Sequence, residues 1–140
     1  MDVLFLDIDG VMTSDKTFQD KGKLYSFSSE CVDALNKILE SNRVKIILTS
    51  SWRNVFDVES QCQIFRENGV CHFPVGQTNE IKYAERGAEI RKYLDCHKVD
   101  NFVILDDMMI EGFDNHFIHI NPATGLTDKD IEIANKILNT

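Results

Sequence analysis

Asp7 and Asp9 leave an apolar run in the stretch VLFLDIDGVM, two positions apart and directly ahead of Gly10. Further on, VKIILTSS carries Thr49, Ser50 and Ser51 at its end, and NFVILDD ends in Asp106 and Asp107. Each polar group thus follows a continuous apolar run too short for a helix, the pattern of a strand buried on both faces. In open parallel sheets ligands bind at the carboxyl ends of the strands, where strand order reverses. If the first strand is central, with the second and fourth beside it, all three groups meet in one crevice.

Several carboxylates in one crevice repel. Two unit charges 4 Å apart cost roughly 4 kcal/mol at an effective dielectric of 20. Such a site needs raised pKa values or a cation. An all-oxygen, carboxylate-rich set favours magnesium over zinc. The expected chemistry is a metal-and-phosphate site, in which one carboxylate attacks and the other carries a proton. The plainer reading makes Asp7 and Asp9 ordinary turn residues, but it leaves the other two strand ends without a reason.

The elements that must position these groups alternate along the chain. Residues 3–6 predict a first strand. Residues 11–27, with Asp20-Lys21-Gly22 as a turn, predict a small hairpin or flap, on which Lys21 and Lys23 are exposed charges that could steer an anion. Val32, Leu35, Ile38 and Leu39 have helical spacing behind a serine cap at Ser28 or Ser29. A second strand ends at Thr49. A helix capped by Ser50 or Ser51 is expected from Trp52 to just before Gly69. The segment VCHF, closed by Pro74 and Gly76, predicts a third strand. A helix starts over residues 86–93, NFVIL is a fourth strand and HFIHI a fifth. Thr127 caps a last amphipathic helix bearing Ile131, Ala134, Ile137 and Leu138. The expectation is one α/β domain over residues 1–140, a parallel five-stranded sheet with helices on both faces and a minimal flap.

Composition narrows the function classes. The chain has 140 residues, 43% apolar and 9% aromatic, which fits an ordered core. A net charge of −8 argues against a broad nucleic-acid-binding face. Cys31, Cys62, Cys71 and Cys96 form no CxxC pair, so neither a zinc knuckle nor a redox motif is expected. The chain opens directly into a strand, without a signal peptide, and no apolar run approaches the length of a membrane span. A cytoplasmic protein with free thiols is expected.

With these residues in view, the chain resembles the haloacid dehalogenase (HAD) superfamily of phosphohydrolases. FLDIDGVM is similar to its first motif, IILTS to its second and VILDD to its fourth. Together LDIDGV, TSSWR, RGAEIRKYL, VILDD and ATGLT resemble the HAD domain of Swiss Army Knife RNA-repair proteins, a module inferred to remove phosphates from polynucleotide ends. The resemblance implies a three-layer, Rossmann-like fold. It implies that Asp7 attacks phosphorus and forms an aspartyl-phosphate, and that Asp9 protonates the leaving group and then activates water. It implies a magnesium ion held by Asp7, the backbone carbonyl of Asp9 and Asp107, with Asp106 behind the ion or sharing it. Thr49 and the Ser50 amide would hold phosphate oxygens, and Gly10 would let the backbone approach the ligand. A basic residue completes the set. Arg86, ahead of AEIRKYL, is the first choice, and Lys82 is the alternative.

Two neighbours of the serines stay open. Arg53 could hold a second phosphate at a helix N-terminus or be a surface charge. Trp52 reads as core packing, with base stacking as the alternative. His116 and His119 face opposite sides of a strand and are structural. The implied substrate is a bulky phosphomonoester, a nucleotide or a nucleic-acid end. The rival readings are a small-molecule phosphatase or nucleotidase, and a phosphate-binding regulatory module without turnover.

Overall fold

The computed structural model describes residues 1–140. Five strands form one all-parallel sheet in the order β3-β2-β1-β4-β5. They are β1 (Asp2–Leu6), β2 (Val44–Leu48), β3 (Pro74–Gln77), β4 (Asn101–Asp106) and β5 (Phe117–His119). β1 is central, in register with β2 from Asp2 opposite Val44 and with β4 from Asp2 opposite Asn101. Strand order reverses between β1 and β4, so the crevice required for the acids exists where the sequence places it.

Alternation along the strands divides the core. Leu4, Leu6, Ile46, Leu48, Val103 and Leu105 face one side. There they meet α1 (Ser29–Ser41), α2 (Val58–Glu67) and α4 (Asp128–Leu138) in a core of 25 buried residues. Val3, Phe5, Ile47 and Ile104 face the other side and meet α3 (Arg86–Cys96), with Ile110 and Phe113 from the β4–β5 connection. This second core has only 7 buried residues. The asymmetry follows from handedness. Right-handed crossovers put α1 and α2 on one face, and the reversal of direction after β3 sends α3 to the other. No helix is long and apolar enough to cross a membrane.

Three local expectations are corrected. The third strand is Pro74–Gln77 and not VCHF, whose residues form a bend. Proline opens this strand because an edge strand's first residue can do without an N–H; a bulge between Ile46 and Ile47 accommodates the register. The helix expected from Trp52 is broken. A 3₁₀ turn, Ser51–Asn54, is followed by α2, whose own cap is Asp57, accepting from the Ser60 amide at 2.8 Å. Phe56, between the two, packs against the main core, and that contact bends the chain. The flap contains turns and no strand ladder. It is secured by burial of Val11, Met12 and Phe27 and by side-chain bonds such as Asp20 N to Ser26 Oγ at 2.7 Å.

The ATGLT segment has a packing reason. Gly125 lies at φ +67, and a Cβ there would come within 2.6 Å of Cys31 Sγ and 2.7 Å of the Thr13 carbonyl. The next amide, Leu126, donates to the Val11 carbonyl at 2.7 Å. The segment therefore fastens the base of the flap.

Candidate active site

Asp7 follows β1 and its amide still donates to the Leu105 carbonyl of β4, at 3.1 Å. That bond carries the parallel pairing one residue past the strand and sets Asp7 beside the end of β4. Asp106 closes β4 and Asp107 follows it. Carboxylate oxygens of Asp7, Asp106 and Asp107 lie within 4.8 Å of one another. Arg86, the first residue of α3, reaches two of the three acids. Its Nη1 donates to Asp106 Oδ2 at 2.7 Å and lies 3.4 Å from Asp7 Oδ1. Lys82 is exposed, with its Nζ over the Tyr83 ring at 5.1 Å, and does not join this group.

The electrostatics follow from burial. Asp7 and Asp106 are 5% and 0% exposed. Desolvation first, then the negative Asp106 beside it, push the Asp7 carboxyl up to about 8, against the pull of Arg86. Burial likewise raises Asp106, with Arg86 opposing. One guanidinium does not balance three ionised carboxylates, so full ionisation of the cluster calls for a further positive charge.

The donors fit a hard divalent cation. All are carboxylate oxygens, and their separations allow one ion to be shared. The two adjacent acids are placed differently. Asp106 is held on both oxygens, by Arg86 on Oδ2 and by the Met108 amide on Oδ1 at 2.9 Å. Asp107 is half-buried and meets Asp7 side chain to side chain. Its backbone carbonyl bonds His119 Nε2 at 2.9 Å, so His119, read as structural, steadies the loop that carries it. Gly10 makes room for Asp107. It sits at φ +85, and a Cβ there would be 2.3 Å from Asp107 Oδ2. Any side chain at this position is strained and drives Asp107 away.

A second half of the site comes from β2. Thr49 is fully buried, and its Oγ1 has no hydrogen-bond partner. An unmade bond of this kind costs about 1–3 kcal/mol, and an oxyanion bound there would satisfy it. Ser50 caps the 3₁₀ turn, its hydroxyl accepting from the Trp52 amide at 3.1 Å, while its own amide donates to nothing in the chain.

Trp52 is buried among Tyr25, Phe27 and Phe56. Arg53 is not presented to solvent. Its Nη2 meets Glu89 Oε2 at 2.9 Å, and its Nη1 donates to Thr78 Oγ1 at 2.8 Å and the Thr49 carbonyl at 3.1 Å. Glu89 also accepts the Ile81 amide at 3.0 Å. This knot joins the end of β2, the loop after β3 and the first turn of α3, one turn from Arg86. It holds the end of β2, with Thr49 and Ser50, in one frame with Arg86. Glu89→Ala strands the guanidinium, which is 7% exposed, and should cost about 3–5 kcal/mol in a thermal or denaturant melt. Removing Lys37, from its exposed pair with Asp128 at 3.7 Å, should cost less than about 1 kcal/mol.

Asp9 stands apart from the other acids. Ile8, between it and Asp7, is fully buried in the main core, and Asp9 is exposed. Its Oδ1 accepts from the Tyr25 hydroxyl. Burial, then this contact, push the Tyr25 phenol above its ordinary range.

Sequence reading missed Glu89, Thr78 and Tyr25. Only Glu89 carried a local signal, an acid one helical turn after Arg86 within RGAEIRKYL.

A family model described as the HAD domain in Swiss Army Knife RNA repair proteins matches residues 3–131. No curated protein and no solved structure matches the chain.

Proposed function

The chain belongs to the family of HAD domains in Swiss Army Knife RNA repair proteins, and on that premise we propose that it hydrolyses phosphomonoesters with magnesium, through an aspartyl-phosphate on Asp7. HAD domains are phosphatase-type hydrolases that generally use a divalent metal, and the three aspartates could bind one. The observation that carries the reading is the gathering of Asp7, Asp106 and Asp107 at the ends of β1 and β4, with Arg86 against them.

Asp7, Asp107 and the backbone carbonyl of Asp9 would hold the ion. When bound, it supplies charge neutralisation for the carboxylates and the phosphoryl oxygens. Asp7 attacks phosphorus in line with the leaving oxygen. Thr49 Oγ1 and the Ser50 amide, both without partners in the chain, take phosphoryl oxygens. Asp9 gives its proton to the leaving oxygen. It then takes one from the water that attacks the aspartyl-phosphate. Arg86 holds Asp106 and offsets charge beside Asp7.

The substrate in this proposal is the phosphorylated end of a nucleotide or polynucleotide. The flap leaves Asp9 exposed, so a bulky leaving group can stand beside it. The unpaired cysteines suit a reducing, cytoplasmic setting. The test is phosphate release from mononucleotides, sugar phosphates and 3′- or 5′-phosphorylated oligonucleotides, with and without magnesium. Magnesium-dependent release, fastest on the nucleotide or oligonucleotide members, is expected. No release from any member, or release indifferent to chelator, rejects the proposal.

A further inference from the structure

Asp9 is the proton carrier in the proposed reaction, and it is the acid with least support. Its carboxylate is exposed, and one group in the chain hydrogen-bonds to it, the hydroxyl of Tyr25. An exposed aspartate left alone samples several rotamers.

Tyr25 is itself held from several sides. Its ring stands edge-on to Trp52 at 4.9 Å between centroids, and also meets Phe27 at 6.3 Å and Phe56 at 6.4 Å. Its carbonyl accepts from Asn68 Nδ2 at 2.7 Å, and the same Asn68 accepts from the Phe27 amide at 2.9 Å. The preceding amide, Leu24, donates to Glu67 Oε2 at 3.0 Å. The last arm of the flap is therefore stapled to the end of α2 and to the 3₁₀ turn. The phenol is a rigid post that emerges at Asp9.

We propose that Tyr25 is a positioning residue for proton transfer, holding the Asp9 carboxyl aimed at the leaving oxygen. This rests on the phosphatase reading of Asp9. A hydroxyl suits both halves of the reaction. It donates to a carboxylate and, by turning its O–H, accepts from a carboxylic acid. In the first half the bond from phosphorus to the leaving oxygen breaks as the bond to Asp7 forms, and the Asp9 proton goes to the leaving oxygen. In the second, water bonds to phosphorus, its proton goes to Asp9, and the Asp7–phosphorus bond breaks. Tyr25 loses no proton in either half.

The test uses Tyr25→Phe, which keeps the ring in the aromatic cluster and removes the hydroxyl. Values of kcat/KM are measured on aryl and alkyl phosphomonoesters of increasing leaving-group basicity. With 4-nitrophenyl phosphate, whose leaving group departs without a proton, the loss should be under about threefold. With alkyl esters it should reach about 10- to 100-fold, part of the 10²–10⁴ that general acid–base catalysis supplies. In an Asp9→Asn background the same substitution should cost nothing further, because Tyr25 acts through Asp9. A loss equal across the series, no loss, or an additive loss in the Asp9→Asn background overturns the role of Tyr25 and leaves the phosphatase standing. A wild-type chain that releases phosphate from no ester in the series overturns both.

Discussion

Replacing Asp7 with asparagine should reduce phosphate release by at least about 10⁴-fold, the order seen when a covalent nucleophile is removed, while making the cation-free protein more stable. The two effects have one cause. Asp7 is buried beside Asp106 and Asp107, and its carboxyl is pushed up to about 8 from an ordinary 3.8. A carboxyl whose folded pKa is raised binds its proton more tightly when folded. It costs nothing below about pH 3.8, and the cost grows as pH rises until it is complete above about 8. Asparagine keeps the shape and never carries the charge. The gap in melting temperature between Asp7→Asn and wild type, measured in chelator, should therefore widen from pH 5 to pH 8. A variant that loses activity by losing its fold would melt lower instead. Turnover that survives the substitution would end the aspartyl-phosphate reading.

Magnesium should raise the melting temperature, and raise it more at pH 8 than at pH 5. Binding requires ionised Asp7, and protons compete for it below about pH 8. For one such proton the apparent affinity falls about tenfold per pH unit on the acid side. At a concentration about 100 times the dissociation constant, a ligand adds about 2.7 kcal/mol, several degrees for a chain of this size. Asp107→Asn should remove most of that shift. Asp106→Asn keeps an acceptor for the Met108 amide but takes the close ion pair from Arg86, leaving that guanidinium with Asp7 alone, and should lower stability even without cation. A shift independent of pH, or one retained in Asp107→Asn, would place the cation elsewhere.

Much of this site was legible in the chain because its residues follow elements that announce themselves. Asp7, Thr49, Asp106 and Asp107 each stand at the end of an apolar run, and a run buried on both faces has few other ways to fold. Edge and turn regions were less legible. Pro74 reads as the close of a strand that it opens, since an edge position excuses its missing N–H. The helix after Ser50 reads as continuous, although it breaks at Phe56, which packs against the core. Arg53 shows the limit for charged residues. A guanidinium at the start of a helical turn reads equally as a phosphate ligand or a surface charge, and its buried partner Glu89 lies 36 positions away.

The amino-acid order alone determined the strand ends, the acids placed on them and the parallel sheet that collects them, because hydrophobic periodicity and strand-end chemistry are local properties. Only the folded chain decided how those acids are partnered: Asp106 engaged by Arg86, Asp107 admitted beside Gly10, Asp9 held by Tyr25, and Arg53 turned inward to Glu89. Partner choice depends on distances across elements and on how much water each pair has lost. Neither quantity exists until the layers have packed.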